Sequence, residues 1–380
     1  MFIGILTQVF STQGVLTYFF FNIFGFWELK SVLHPLSFLL ILIVFLIKSI
    51  KRLEISQIDF IVSLYSIFLF ILLIFNNHTL SGIYLTFREV FMLVILTFIY
   101  NQTMISKRQF EIILKCLHVF VVLNLVFVFL TYYLGPEDFM KMLVGRYQWG
   151  VDDVYKFQIS NFASRFWRSP GIVGSSGALA YFALFTYILM DRTKEFSKKK
   201  YLALFLLVSS FTRSAFLAFI IYFIVNFLGN ERNLKRTLKM GKYLIPLGFI
   251  LFIILNQFDI LSVKSIWIRF DVWLNRIDIE YNPLFGGAIG EMGAAVRDGT
   301  IKAEAVLDSY WLLMLFSTGI IGIFLWLLFF FEKSKHSLKL GAMIIGVIFA
   351  GFFITLTQAI PFIVLLPMMY LKVENDFKDT

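Results

Sequence analysis

The sequence predicts an all-α polytopic membrane protein with about twelve transmembrane helices. Three observations carry this. First, 59% of the 380 residues are hydrophobic and only 15% are charged, with a mean hydropathy of +0.83. Average soluble domains hold roughly a quarter charged residues. Second, apolar runs of membrane-crossing length recur along the whole chain. Third, Lys and Arg cluster after every second run. That is the signature of loops kept on the cytoplasmic side.

The runs lie near 3–25, 33–50, 58–76, 82–100, 112–134, 171–191, 196–211, 213–228, 241–257, 306–331, 339–354 and 356–371. Those at 58–76 and 112–134 are the cleanest. The run at 196–211 is short, and the last two share one apolar region broken near Gln358 and Pro361. Basic residues follow the even-numbered runs: Lys48, Lys51 and Arg52; Lys107 and Arg108; Arg192 to Lys200; Arg232 to Lys242; and Lys333 to Lys339. This places both termini in the cytoplasm, and the two long hydrophilic loops, about 135–170 and 258–305, on one outer face. Residues 1–380 form one transmembrane domain, since no internal repeat or soluble insertion interrupts the pattern.

Composition also removes function classes. The net charge of +10 is accounted for by the basic loops, so no nucleic-acid partner is expected. The single Cys116 excludes a disulfide framework and a cysteine metal site. His34, His78, His118 and His336 are scattered, and no carboxylates pair at ligand spacing. No metal and no cofactor are therefore expected, and no His is expected to reach the outer charges. The absence of a basic stretch before the first run argues against a cleaved signal peptide.

Arg213 stands out. It lies in Phe211-Thr212-Arg213-Ser214, inside an apolar stretch from Tyr201 to Leu228. A charge at the bilayer centre costs at least about 2.5–3.5 kcal/mol on insertion scales. One helix through this stretch would be about 42 Å long at 1.5 Å per residue. The spacing predicts instead a short helix, a turn at Thr212–Ser214, and a second helix to Leu228. The basic loops on either side agree, because a single span would put them on opposite faces. More charges collect on the outer face: Arg165 and Arg168 with Trp167 between them, Arg269, Asp271 and Arg276, Arg88 and Glu89, and Asp308 before Tyr310. Forked guanidinium groups suit phosphate and pyrophosphate. Simpler roles compete: interfacial anchoring for Arg165 and Arg276, a salt bridge from Arg213 to Glu89, and a helix N-cap for Asp308. Gly319 and Gly322 fit close helix packing. Gly286-Gly287-Ala-Ile-Gly290 lacks the strand–helix context of a dinucleotide loop.

Four segments in order resemble the O-antigen polymerase (Wzy-type) and O-antigen ligase family of bacterial surface-polysaccharide assembly. They are Arg168-Ser-Pro-Gly171 with Gly174-Ser-Ser-Gly177; Thr212-Arg213-Ser214; Arg269 to Trp273 with Pro283-Leu-Phe-Gly286; and Asp308-Ser-Tyr310 with Thr318-Gly319-Ile-Ile-Gly322. The resemblance covers about 165–325. Ligases of the family place a His where this chain has Asp308, which leans toward a polymerase.

The resemblance implies a GT-C-like fold in a bacterial inner (cytoplasmic) membrane. It implies polymerisation of polyprenyl-pyrophosphate-linked oligosaccharide units into O-antigen, capsular or exopolysaccharide on the outer face. Such an enzyme works without metal, with lipid-linked glycan as donor and acceptor, membrane lipid around it, and a flippase and a chain-length regulator as partners. Asp308 and Arg213 would be catalytic. Arg168, Arg269, Arg165, Arg88, Arg276, Tyr310 and Trp167 would bind substrate. The alternatives are an O-antigen ligase acting on a lipid A-core acceptor, and a polysaccharide flippase or transporter.

Overall fold

The computed structural model describes residues 1–23, 29–49, 53–76, 79–135, 138–139, 161–162, 166–229, 271, 280–291, 293, 309–335, 337–354 and 356–374. Described residues fold into helices α1 (Phe2–Ser11), α2 (Gly14–Ile23), α3 (Leu29–Ser49), α4 (Gln57–Phe75), α5 (Leu80–Val90), α6 (Met92–Asn101) and α7 (Lys107–Leu134). They continue with α8 (Ser176–Met190), α9 (Lys200–Ser209), α10 (Arg213–Leu228), α11 (Tyr310–Ser334), α12 (Leu338–Ala350) and α13 (Ile360–Met368). Four two-residue strands complete the set. β1 (Met104–Ile105) pairs parallel with β4 (Lys372–Val373), and β2 (Asn161–Phe162) pairs antiparallel with β3 (Phe166–Trp167).

Helix starts are written locally. Ser56 and Ser106 open α4 and α7 with reciprocal capping boxes to Asp59 and Gln109. Thr79, Ser175, Ser309 and Ser337 accept backbone N–H groups at the starts of α5, α8, α11 and α12. Ser309, and not Asp308, is thus the N-cap of α11.

The apolar sequence is spent in two ways. α8 and α13 are buried almost throughout, and they pack on each other at the centre of the bundle. α4 instead exposes Phe60, Ile61, Leu64, Ile67, Phe68, Ile71, Ile74 and Phe75. An apolar face of that extent needs a non-aqueous solvent.

The expected count of about twelve membrane-crossing helices is corrected. Among the described residues three helices are long and apolar enough to cross a membrane: α4, α7 and α11. A fourth results if α5 and α6, bent by 49° at Phe91, count as one span. Shorter apolar segments of 10–17 residues lie in α1, α3, α8, α9, α10 and α12. The run at 241–257 and most of the loops 135–170 and 258–305 lie outside the described residues. The expected span 3–25 is broken at Thr12 and Gln13. The expected turn near Arg213 is present, at Ser210–Thr212.

The breaks are where structure departs most from simple hydropathy. Backbone groups freed inside a bilayer need protein partners. The α1–α2 break finds them in the segment after Arg168: Gly14 N–H donates to Val173 O at 3.1 Å, and Val15 N–H to Ile172 O at 2.8 Å. A second break lies inside α11, where Gly319 has φ +67°. There the segment 283–288 supplies the partners. Ile320 N–H donates to Pro283 O at 2.9 Å and Ile321 N–H to Leu284 O at 3.2 Å. In return Ala288 N–H donates to Phe316 O at 3.1 Å. Gly319 is therefore more than a packing glycine. A Cβ there would come 2.2 Å from Leu284 O.

Candidate functional site

The turn before α10 is built under strain. Phe211 has φ +50°, the only positive φ of a non-glycine among the described residues. An L-residue there costs roughly 1–2 kcal/mol. Side-chain bonds hold the turn against the start of α8. The Thr212 hydroxyl donates to Ser176 O at 3.1 Å, and the Tyr181 hydroxyl to Ser214 Oγ at 3.2 Å. Thr212 consequently does not cap α10, whose first residue is Arg213. A cation in that place opposes the helix dipole. Uncapped N–H groups and a guanidinium together form a setting that favours an anion.

The segment Arg168-Ser-Pro-Gly171 is anchored from beneath. Ser169 is buried, shares a hydrogen bond with Thr131 at 2.8 Å, and accepts from Gly171 N–H at 3.2 Å. Asn124 of α7 accepts from Ile172 N–H at 2.9 Å and donates to Gln13 at 2.9 Å. Gly171, at φ +53°, has no room for a side chain, since a Cβ would stand 2.3 Å from Asn124 Oδ1. Trp167 is placed by the β3 pairing with Asn161.

At the start of α11, Tyr310 is fully buried between the rings of Trp311 and Trp326, at 5.5 and 5.9 Å. Its backbone N–H donates to Gly351 O and Ile354 O at 2.8 and 3.1 Å. Ile354 also lies beside Gly177, where a Cβ would meet its Cδ1 at 3.5 Å. Ile354 therefore joins the start of α11 to the start of α8.

Arg88 and Glu89 end α5. Glu89 is buried, and a Cβ on Gly293 would come 2.2 Å from its Oε2. Its charge acts on Tyr310. The charge of Arg88 acts on His34 of α3 and on Tyr84. His34 was expected to stay away from the outer charges. The structure corrects this, because α3 and α5 pack through Phe38 and Phe87, with ring centroids 5.8 Å apart.

Asp308, Arg165, Arg269 and Arg276 lie outside the described residues. Of the other predicted site residues, Arg213, Arg168 and Trp167 fall around the starts of α8 and α10. Arg88 and Tyr310 fall around the end of α5 and the start of α11. No group of His, Cys, Asp and Glu able to hold a metal occurs among the described residues. A cavity of about 290 Å³ sits at the opposite end of α11, lined by Glu54, Ser56, Asp59, Asn101, Lys333 and Lys372 among others. There Lys333 bridges both carboxylate oxygens of Asp59 at 2.7 and 2.8 Å. None of the predicted site residues lines it.

Comparison with family models, curated proteins and solved structures finds no match.

Proposed function

We propose that this chain is a membrane glycosyltransferase that polymerises polyprenyl-pyrophosphate-linked oligosaccharide units into a bacterial surface polysaccharide. The acceptor hydroxyl attacks the anomeric carbon of the donor. The bond from that carbon to the pyrophosphate oxygen breaks, and the electron pair leaves with pyrophosphate. The hydroxyl proton goes to a carboxylate, for which Asp308 is the sequence candidate. Arg213, Arg168 and Arg269 hold the departing pyrophosphate, with Arg165, Arg88 and Arg276 around them. Charge stabilisation of that kind is commonly the largest catalytic contribution.

One observation carries the reading. Arg213 is the first residue of an uncapped helix, at a strained turn pinned to the start of α8. A pyrophosphate at that position would meet both the guanidinium and the helix N–H groups. Support also comes from the way the segments of the resemblance meet. Thr212 holds Ser176, Pro283 and Leu284 fill the break beside Thr318, and Ile354 links the two pairs. The reading places the chain in the bacterial inner membrane with both termini in the cytoplasm. The donor keeps its lipid in the bilayer, and a flippase and a chain-length regulator are its partners.

The test uses the purified chain in lipid vesicles with lipid-linked repeat units. Longer lipid-linked glycan is the expected product. Movement of the units across the vesicle without elongation would make the chain a transporter. Transfer only to a lipid A-core acceptor would make it a ligase.

A further inference from the structure

The cavity of about 290 Å³ at the Lys333 end of α11 is built from four separate stretches of chain. Its size is near the lower end for small-molecule sites, roughly 300–1,000 Å³. Hydrogen bonds hold the walls in place. Gln102 Nε2, just after α6, donates to Glu54 O at 2.7 Å, and the Ser56 hydroxyl donates to Glu332 Oε2 at 3.0 Å. Lys372 is positioned by β4, where its N–H donates to Thr103 O at 3.1 Å. Asp59, 2% exposed, and the Lys333 ammonium form the buried floor as an ion pair. They neutralise each other and leave two charges over. The Glu54 carboxylate and the Lys372 ammonium also line the cavity, and neither has a hydrogen-bond or ion-pair partner among the described residues.

We infer that this cavity seats the headgroup of a zwitterionic phospholipid, phosphoethanolamine, from the surrounding membrane. Neither the cavity nor its charges depend on the glycosyl-transfer reading. Glu54 and Asp59 against Lys333 and Lys372 give the lining a formal charge of zero. An anionic headgroup would face the two carboxylates, and a simple cation the two ammonium groups. A ligand with one charge of each sign finds a partner for both. Its phosphate takes Lys372 and the Asn101 amide, and its ammonium takes Glu54. The ammonium of ethanolamine brings N–H donors for that carboxylate, as a lysine ammonium does. The quaternary ammonium of choline has none and is recognised by aromatic faces. The residues lining this cavity are not aromatic. Its edge favours a lipid over a soluble zwitterion. Ile55 lines the cavity and is exposed, and exposed Phe60 and Ile61 continue the apolar surface along α4. The acyl chains of a lipid held by its headgroup lie along that surface.

The experiment uses the full-length protein in detergent, stripped of native lipid. Phosphatidylethanolamine, phosphatidylcholine and phosphatidylglycerol with identical acyl chains compete for it, and native mass spectrometry counts what is retained. Phosphatidylethanolamine should be retained in preference to the other two. Glu54→Gln and Lys372→Gln should each lower its retention by about tenfold, the scale of one charge-assisted hydrogen bond. Both side chains lack partners in the fold, so both variants should melt as the wild type does. If one melts early, the other decides. Equal retention of the three lipids overturns the inference, and so does a preference for phosphatidylglycerol, which would make the cavity an anion site. Variants that retain phosphatidylethanolamine as the wild type does overturn it as well. Calorimetry with glycerophosphoethanolamine separates the sources. The free headgroup should bind far more weakly than the lipid. Binding as tight as the lipid's would make the cavity a site for a soluble zwitterion and remove the lipid.

Discussion

Tyr65, midway along α4, donates its hydroxyl hydrogen to Thr318 O at 2.5 Å, directly before the break in α11. The same hydroxyl lies 3.3 Å from Phe285 O. One side chain thus holds together the broken helix and the segment that repairs it. Asn76, at the end of α4, does similar work, with its amide 3.3 Å from both Gly287 O and Ile289 O.

Tyr65→Phe should therefore loosen this junction without emptying it. A loss of about 0.5–1.5 kcal/mol is expected for one hydrogen bond. Gly319→Ala should do far more, because φ +67° and the approach of Leu284 O both reject a Cβ. Two or more kcal/mol, roughly, is the scale for such strain and overpacking. Thermal unfolding in detergent ranks the two. A cysteine placed at Leu284, in a Cys116→Ser background, should react faster with a thiol reagent when Gly319 is Ala. Equal rates would mean that the segment is held elsewhere.

Phe211 offers a test of backbone strain. Asn tolerates the left-handed region better than other non-glycine residues, and β-branched residues tolerate it worst. Phe211→Asn should keep the melting temperature close to wild type. Phe211→Val should lower stability by about 1–2 kcal/mol. The reverse order would show that the Phe side chain, not its backbone, secures the turn.

Arg213→Lys keeps the charge and removes the fork. If Arg213 grips pyrophosphate as proposed, the Lys variant should lose most elongation, on the order of tenfold or more, at normal protein levels. Near-wild-type polymer length and rate from Arg213→Lys would leave it a structural cation.

Asp191, just beyond the end of α8, accepts from Lys200 and from Lys339, the latter at 2.6 Å. Burial raises its pKa, and the two ammonium hydrogen bonds more than offset this, so the carboxyl is held below its ordinary value. A carboxyl lowered in the folded state stabilises fully above its unfolded pKa, near about 4. That contribution is lost as the pH falls through the folded value. Solvent screening limits it to under about 1 kcal/mol at pH 7. Melting curves should show Asp191→Asn slightly less stable than wild type at pH 7, with the gap closing toward pH 3. A gap that stays constant with pH would mean that Asp191 acts by packing alone.

What could be read from the sequence was local. The extents of α4 and α7 follow from one apolar run each and a Ser three residues before Asp59 or Gln109. The break at Arg213 followed from a charge in an overlong run. The break at Gly319 did not, because Gly319-Ile-Ile-Gly322 has the spacing of a packing face, and its partners sit in a distant loop. The contact of α3 with α5 was illegible for the same reason: Phe38 and Phe87 meet only once the two helices are packed. The count of spans failed where hydropathy marks what is apolar but not what is lipid-facing. α8 and α13 are apolar because they are core.

The pairing of β1 with β4 fixes an order of events during synthesis. Met104 and Ile105 lie opposite Lys372 and Val373, and Arg192 donates to Met369 O and Leu371 O at 2.9 and 3.1 Å. Likewise the Gly14 and Val15 N–H groups meet their partners only once residues 172 and 173 are made. The first helices are therefore made with these two N–H groups unmet, and the bundle closes only after the segment at 369–373 has left the ribosome. A ribosome stalled before residue 369 would hold a chain with many of its helices present and neither of these closures made.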